Sequence, residues 1–510
     1  MKAALDAAAV HYMARRVLAT DPSTSPGSSP EQSGPVGTVS TAIVVPQPIS
    51  PPKAVTTGST SSPEDMMADF NNVSISVPIM ATPTTTPPNL SDDAIVASTP
   101  LIRQPRATWD DASMCYFLGE YRVAPQPGII IGHMDFLSDM LFEAPLDSAL
   151  RPATLATACL CFSRRRDSLE LYAQSRDHYG KALKAVITSI EKGPDHWGDD
   201  TLASIMLLHM FEDIDSGHSH NATSHLKGIA RLYDLRGQNL LSKIPGSPLY
   251  GWIFTHLQTL SLATNEFFEC LSIPQPERAV TDPAGGLVYM VAKISRFITL
   301  SAERQSALDK ANAPSEARRT ALMTMMHLAM RTQSETDAWA ESLPKTWKPR
   351  VVFALDESGN TRRLVTYSCR WLSVVSTMYH ASLVKYYHTV LSCCQSILEL
   401  HVSPTPAEKD LINATANMAN KNLAHLIAMI CDSLPYAFGE VDGDGELLPA
   451  PDYKGYSSYS LIWSLELVST YPGSTKEQIA LCKSSLTRIG SLYGIRLAQS
   501  PQNLAAFTFF

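Results

Sequence analysis

The 510-residue chain carries little charge. Its 41 Lys and Arg stand against 49 Asp and Glu, a net −8, and 18% of residues are charged where about 25% is usual. This balance excludes a strongly basic protein that coats nucleic acid without regard to sequence. No run of 18 or more apolar residues occurs, so no segment reads as a membrane-spanning helix. Cysteine is sparse, nine in all, with no pair at CxxC spacing; a disulfide scaffold is excluded and no zinc-ligand pattern stands out. GxSxG, HExxH, GxGxxG and P-loop motifs are all missing. No catalytic, cofactor-binding or metal site is therefore expected, and the chain is not read as an enzyme.

What is present is unevenly spread. Fifteen of the 35 prolines fall in residues 21–110, and Phe70 is the lone aromatic between Asp21 and Thr108. Stretches such as DPSTSPGSSPEQSGP cannot bury enough apolar surface to offset the entropy of ordering the backbone. Residues 21–110 are read as a disordered Ser/Thr/Pro-rich linker. Ahead of it, residues 1–20 can form one short helix. Lys2, Arg15 and Arg16 against Asp6 give it a faint likeness to an import presequence. Within the linker, PEDMMADF (63–70) interleaves acids with Met66, Met67 and Phe70, as activation segments do. Seven Ser/Thr-Pro pairs, from Ser25 to Thr99, suit proline-directed phosphorylation.

Residues 111–510 read as an all-α, multi-helix array of antiparallel helices. Asp167 opens DSLE, a capping-box-like start, and Tyr172, Tyr179, Leu183, Val186 and Ile190 mark one helical face ended by Gly193-Pro194. Asp199 and Asp200 precede TLASIMLLHMFEDI, apolar nearly all round and so expected to be a central buried helix. The next helix starts near Asn221 or Thr223, with Leu226, Ile229, Leu232 and Tyr233 inward and Gly237 closing it. Further long helices are read over 250–271, 315–343, 366–398, 408–434, 456–471 and 475–499. RVVFALDES (350–358) is read as a short strand or loop, and PAGG (283–286) as a turn.

These blocks resemble a known family. CYFLGEY (115–121), GHMDFLSDML (132–141), DSALRPATLATACL (147–160), SRRR (163–166), DHYGKALKAV (177–186), DDTLASIMLLHMFE (199–212) and HLKGIARLYDLRG (225–237) are similar to the regulatory region of fungal-specific transcription factors. ICDSLPYAFGE (430–440), LIWSLELVST (461–470) and LTRIGSLYGIRLAQ (486–499) resemble its C-terminal part. The set keeps its order over roughly 115–500. The resemblance implies a helical regulatory domain of a nuclear transcription regulator, of a kind that often controls secondary-metabolite gene clusters. It also implies partners: other transcription regulators or co-regulators, with homo- or heterodimerisation, and no membrane. Such proteins usually carry a zinc binuclear cluster of six cysteines followed by basic residues. Here the first cysteine is Cys115, and residues 1–110 hold six basic residues: Lys2, Arg15, Arg16, Lys53, Arg103 and Arg106. The regulatory role is expected; direct DNA contact through a zinc cluster in this chain is not. The alternatives are an interaction protein acting through an intact family member and a helical enzyme with an unannounced site. The mark of such an enzyme would be a closed pocket lined by converging titratable groups.

Three local features complete the reading. His218, His220 and His225 with Asp213 and Asp215 could together bind a metal, but polar residues are expected in a loop between helices. VDGDGELLP (441–449) resembles a calcium loop, yet position 12 is Tyr453 where a bidentate glutamate is needed; it is read as an acidic turn. Arg15-Arg16, Arg164–Arg166, Arg318-Arg319 and Arg362-Arg363 are read as solvated helix ends. The cysteines are read as small core side chains.

Overall fold

The structure, a computed structural model, describes residues 108–126, 132–215, 219–236, 247–272, 283–355, 359, 361–400 and 404–499. The helix expected at 1–20 with Arg15-Arg16, all but the last three residues of the 21–110 linker with its acidic segment and Ser/Thr-Pro pairs, and Gly237 lie outside the described residues.

Helix α1 (Trp109–Tyr121) begins inside the stretch assigned to the linker, because Thr108 caps it. The Asp111 N–H donates to Thr108 Oγ1 at 3.2 Å and the Thr108 N–H to Asp111 Oδ2 at 3.1 Å, a reciprocal capping box. Helices α2 (Phe136–Glu143) and α3 (Leu150–Arg166) follow. Arg164, Arg165 and Arg166 fill the last turn of α3, where cations meet the negative end of the helix dipole. Asp167 does not cap the next helix as expected. It ends α3 in the left-handed region at φ 50°, and Ser168 accepts from the Leu171 N–H to start α4 (Leu169–Lys192). Gly193 at φ 103°, followed by Pro194, ends α4, as its sequence indicated. Every residue from Thr201 to Asp215 of α5 (Asp199–Asp215) is buried, as its unbroken apolarity implied. In α6 (Ser219–Arg236), Leu226, Ile229, Leu232 and Tyr233 all face inward.

The second half holds α7 (Pro248–Thr264), α8 (Pro283–Lys310), α9 (Ser315–Ser342), α10 (Arg370–Leu398), α11 (Pro406–Ala437), α12 (Gly455–Thr470) and α13 (Lys476–Tyr493). Left-handed Asn265 and Gly494 stop α7 and α13 short of their expected ends. Two readings are corrected here. PAGG is no turn but the first turn of the 28-residue α8: proline is at home there because its missing N–H would have no partner anyway. Gly286 is needed because a Cβ would run into the Trp339 indole of α9. The helix expected over 366–398 does not begin until Arg370, because Thr366 ends a strand. Arg350–Leu355 (β1) pairs antiparallel with Thr361–Thr366 (β2), Arg350 opposite Thr366 and Leu355 opposite Thr361. Extended Cys369 then leads into α10. Arg362-Arg363 thus sits on a strand, with Arg363 paired to Asp432 of α11.

Helices adjacent in sequence pack against each other, α3 on α4, α10 on α11 and α12 on α13, around one apolar core. A smaller cluster of Trp347, Leu364, Val365, Tyr367, Leu372 and Tyr436 underlies the hairpin. No described helix is long and apolar enough to cross a membrane. Seven cysteines are buried, Cys369 is half-buried and Cys115 exposed, all free. Asp442 closes the 441–449 turn by accepting from the Asp444 and Glu446 N–H groups.

Candidate ligand cavity

Six helices leave a cavity of about 280 Å³ between them, α6 reaching it through Leu226. Helical spacing explains which residues reach it. Helix α8 offers Ala284, Leu287, Val288 and Val291, one stripe at steps of three and four. Helix α10 offers Trp371, Val375, Met378, Tyr379 and Ser382, and α12 offers Tyr459 and Trp463, four apart. Helix α7 contributes Trp252, His256 and Thr259, with Gln258 beside them, and α5 contributes His209 and Asp213, again four apart. Trp347, from the segment before β1, and His133, from the turn before α2, complete the wall. The lining is thus mostly aliphatic and aromatic, with a few polar groups set into it, the usual make-up of a small-molecule site between helices.

Along one side the polar groups form a chain. The Tyr459 hydroxyl donates to Asp213 Oδ2 at 2.6 Å. His209 Nε2 lies 3.6 Å from the same oxygen and 3.1 Å from Nδ1 of His256. Burial pushes the Asp213 carboxyl up to about 7, against the opposing pull of the Tyr459 hydrogen bond. Burial, and then the neighbouring His209, hold His256 well below the ordinary imidazole range. His133, tilted against Trp371 with ring centroids 4.6 Å apart, is driven down to about 3 by burial. Both His133 and His256 are therefore neutral at pH 7. Among the described residues, no lysine or arginine lines the cavity.

Other buried polar atoms on the wall have no partner among the described residues: Oε1 and Nε2 of Gln258, and the indole N–H groups of Trp347 and Trp463. Their residues are only 2%, 5% and 7% exposed. Buried polar atoms are nearly always paired in native proteins; these four belong to lining residues, and others, such as the Ser113, Ser373 and Ser464 hydroxyls, lie elsewhere in the described core.

The residues considered as a histidine–aspartate metal cluster do not come together. Asp213 turns to Tyr459, while Asp215 pairs with Arg164 at 2.9 Å and Arg176 at 3.2 Å. His225 is buried within α6, pushed down to about 3 by burial. His220 lies on the same helix rather than in a loop, and His218 is outside the described residues. A different set converges instead. Asp110 of α1, Cys159 of α3 and His178 of α4 place one ligand atom each within 4.8 Å of the others. Carboxylate, thiol and imidazole are donors a zinc ion accepts. However, burial raises the Cys159 thiol to about 11, Asp110 already accepts from Gln174 at 2.8 Å, and it lies 3.1 Å from His178 Nε2. As it stands, the set ties three helices together.

Of the polar cavity groups only Asp213 was singled out in the sequence, and for a different role. Their signal lay in polar residues placed four apart inside otherwise apolar helices, His209 and Asp213 above all.

Comparison with protein families places residues 130–425 in the fungal specific transcription factor domain. That span includes α5, α7, α8 and α10 of the cavity wall, while α12 lies beyond it. No curated protein and no solved structure matches the chain. With the match covering more than half of its length, the chain belongs to the fungal specific transcription factor domain family.

Proposed function

We propose that the protein is a nuclear regulator of a set of biosynthetic genes, possessing a helical body that holds a small apolar effector and passes its presence to a partner. The family is that of a transcription factor domain and not an enzyme family. The observation that carries the effector role is the cavity, apolar in its main lining with a few polar residues set into it. Within that reading, DNA recognition falls to a zinc-cluster relative bound as partner. Deleting the gene and profiling transcripts tests the regulatory role. A coordinated change in one group of genes is expected, and an unchanged profile rejects the reading. Co-purification tests the division of labour: a zinc-cluster relative should come down with the chain, and sequence-specific DNA binding by the chain alone overturns that part.

The chain Tyr459–Asp213–His209–His256 favours a second reading, a helical enzyme, because titratable groups do converge on the cavity. Yet neither His133 nor His256 hydrogen-bonds a serine or cysteine that could serve as nucleophile among the described residues. That reading requires bound compound to be consumed, so full recovery of an incubated compound by mass spectrometry counts against it.

A further inference from the structure

We propose that Asp110 of α1, Cys159 of α3 and His178 of α4 form a zinc site that fastens these three helices together, with a carboxylate oxygen, a sulfur and an imidazole nitrogen as ligand atoms and water in the fourth position. This site does not use the cavity and does not depend on the effector reading.

The three side chains already stand close to where a zinc ion would hold them. Oδ1 of Asp110 lies 3.1 Å from Nε2 of His178 and 3.8 Å from Sγ of Cys159, and one ligand atom from each residue falls within 4.8 Å of the other two. Bonds of about 2.0–2.3 Å in a tetrahedron set ligand atoms about 3.3–3.6 Å apart, so small side-chain adjustments suffice. Gln174, four residues before His178 and so on the same face of α4, donates to the same Asp110 oxygen at 2.8 Å. Zinc bonds would take the place of the hydrogen bonds that now converge on that oxygen.

The donor set selects the metal. Thiolate and imidazole suit zinc, whereas magnesium and calcium want oxygen ligands. One thiolate and one carboxylate balance the two charges of the ion, and a neutral site is what a largely buried position requires. Cys159 is fully buried, while the side chains of His178 and Asp110 are 12% and 30% exposed, which leaves the Asp110 side open for the ion to enter and for water to complete the shell. On binding, Cys159 gives its proton to solvent and His178 keeps its single proton on Nδ1. Ser113, one turn beyond Asp110 on α1, supports the thiolate. It is fully buried and its hydroxyl has no hydrogen-bond partner among the described residues. Burial raises the Cys159 thiol, and Ser113 opposes that rise. Donation from this hydroxyl to a zinc-bound sulfur is the kind of outer contact that tunes a metal site.

The experiment strips the full 510-residue chain with a chelator and titrates it with zinc against a chromophoric competitor. One tightly held zinc per chain is expected, undisplaced by excess magnesium or calcium, and the melting temperature should rise as it binds. Cobalt in its place should give a sulfur-to-metal charge-transfer absorption that Cys159→Ser abolishes. Cys159→Ser, His178→Gln and Asp110→Asn should each weaken zinc by about a hundredfold or more, and Ser113→Ala by about tenfold to a hundredfold. Cys115→Ser, which changes the exposed cysteine of α1, should leave affinity and spectrum alone. Circular dichroism establishes that each variant is folded, and Cys159→Ala replaces Cys159→Ser if the latter is not. A plain hydrogen-bonded cluster would lose stability in these variants with no zinc held before or after. Less than one zinc per chain, displacement by magnesium or calcium, a cobalt spectrum without the sulfur band, undiminished affinity in folded Cys159→Ser or His178→Gln, or loss of binding in Cys115→Ser overturns the proposal.

Discussion

The face of α5 that meets α3 and the cavity wall built by α7, α12 and the segment before β1 are shielded from water to a similar degree, yet they treat polar atoms in opposite ways. Between α3 and α5 hydroxyls are used up locally. Thr157 donates to the carbonyls of Ala153 and Leu207 at 3.1 and 3.0 Å, Thr154 to Leu150 at 2.8 Å, and Ser204 to Asp200 at 2.6 Å. Around the cavity, Gln258, Trp347 and Trp463 keep polar atoms that no described residue satisfies. The hydroxyls of the first region are satisfied from within, whereas these atoms of the second have no partner among the described residues. Burial alone does not tell these two regions apart; the hydrogen-bond account does.

The largest test of this contrast is truncation. Phe211 is fully buried in α5, its ring centroid 4.6 Å from that of Tyr179. Phe211→Ala should cost about 3–5 kcal/mol of stability, read by urea unfolding. Val291→Ala on the cavity wall should cost only about 1 kcal/mol, because a side chain beside a void has fewer partners to lose. Equal losses at the two sites would break the distinction.

The closed region was legible in the sequence and the open one was not. The reading of 315–343 as one long helix placed α9 within a residue of its ends, and unbroken apolarity marked α5 as central. Helix α8 was hidden by Pro283, Gly285 and Gly286, turn-forming residues that serve here as a helix start and a close packing point against Trp339. Strand β2 was hidden because it is short and runs straight into the segment that leads to α10; only Leu364, Val365 and Thr366 at its end are buried. The cavity is a space between six helices, and one sequence does not encode a void directly. It leaves only indirect marks, such as His209 and Asp213 embedded in an apolar helix.

A smaller effect separates the regions by pH. The folded-state pKa of Asp213, about 7, lies above the roughly 3.9 expected in the unfolded chain. The folded state therefore holds a proton that the unfolded state has lost, and this group's contribution to stability falls as pH rises from about 4 to about 7. Asp213→Asn cannot ionise and retains an oxygen that can accept from Tyr459. Relative to the natural protein, the variant should gain about 2–3 kcal/mol between pH 5 and pH 8, visible as a melting-temperature difference that grows with pH. His133, His225 and His380, all depressed by burial, act in the opposite direction but are common to both proteins, so they drop out of the difference. A constant difference across this range would place Asp213 outside the low-polarity wall.

The smallest effect is the most discriminating, since it turns on sign. Thr157→Val removes a hydroxyl that bridges two helices and leaves the Leu207 carbonyl without that donor, so about 1 kcal/mol should be lost. Gln258→Leu removes two polar atoms that have no partner in the folded protein, while in the unfolded chain the same amide is fully hydrated. Its replacement by an apolar side chain of similar volume should leave stability unchanged or raise it by up to about 1 kcal/mol. The two substitutions are both polar-to-apolar and both in fully shielded positions, so opposite signs can come only from the hydrogen-bond account. If Gln258→Leu is instead destabilising by as much as Thr157→Val, the glutamine is satisfied within the protein and the wall of the cavity is an ordinary core.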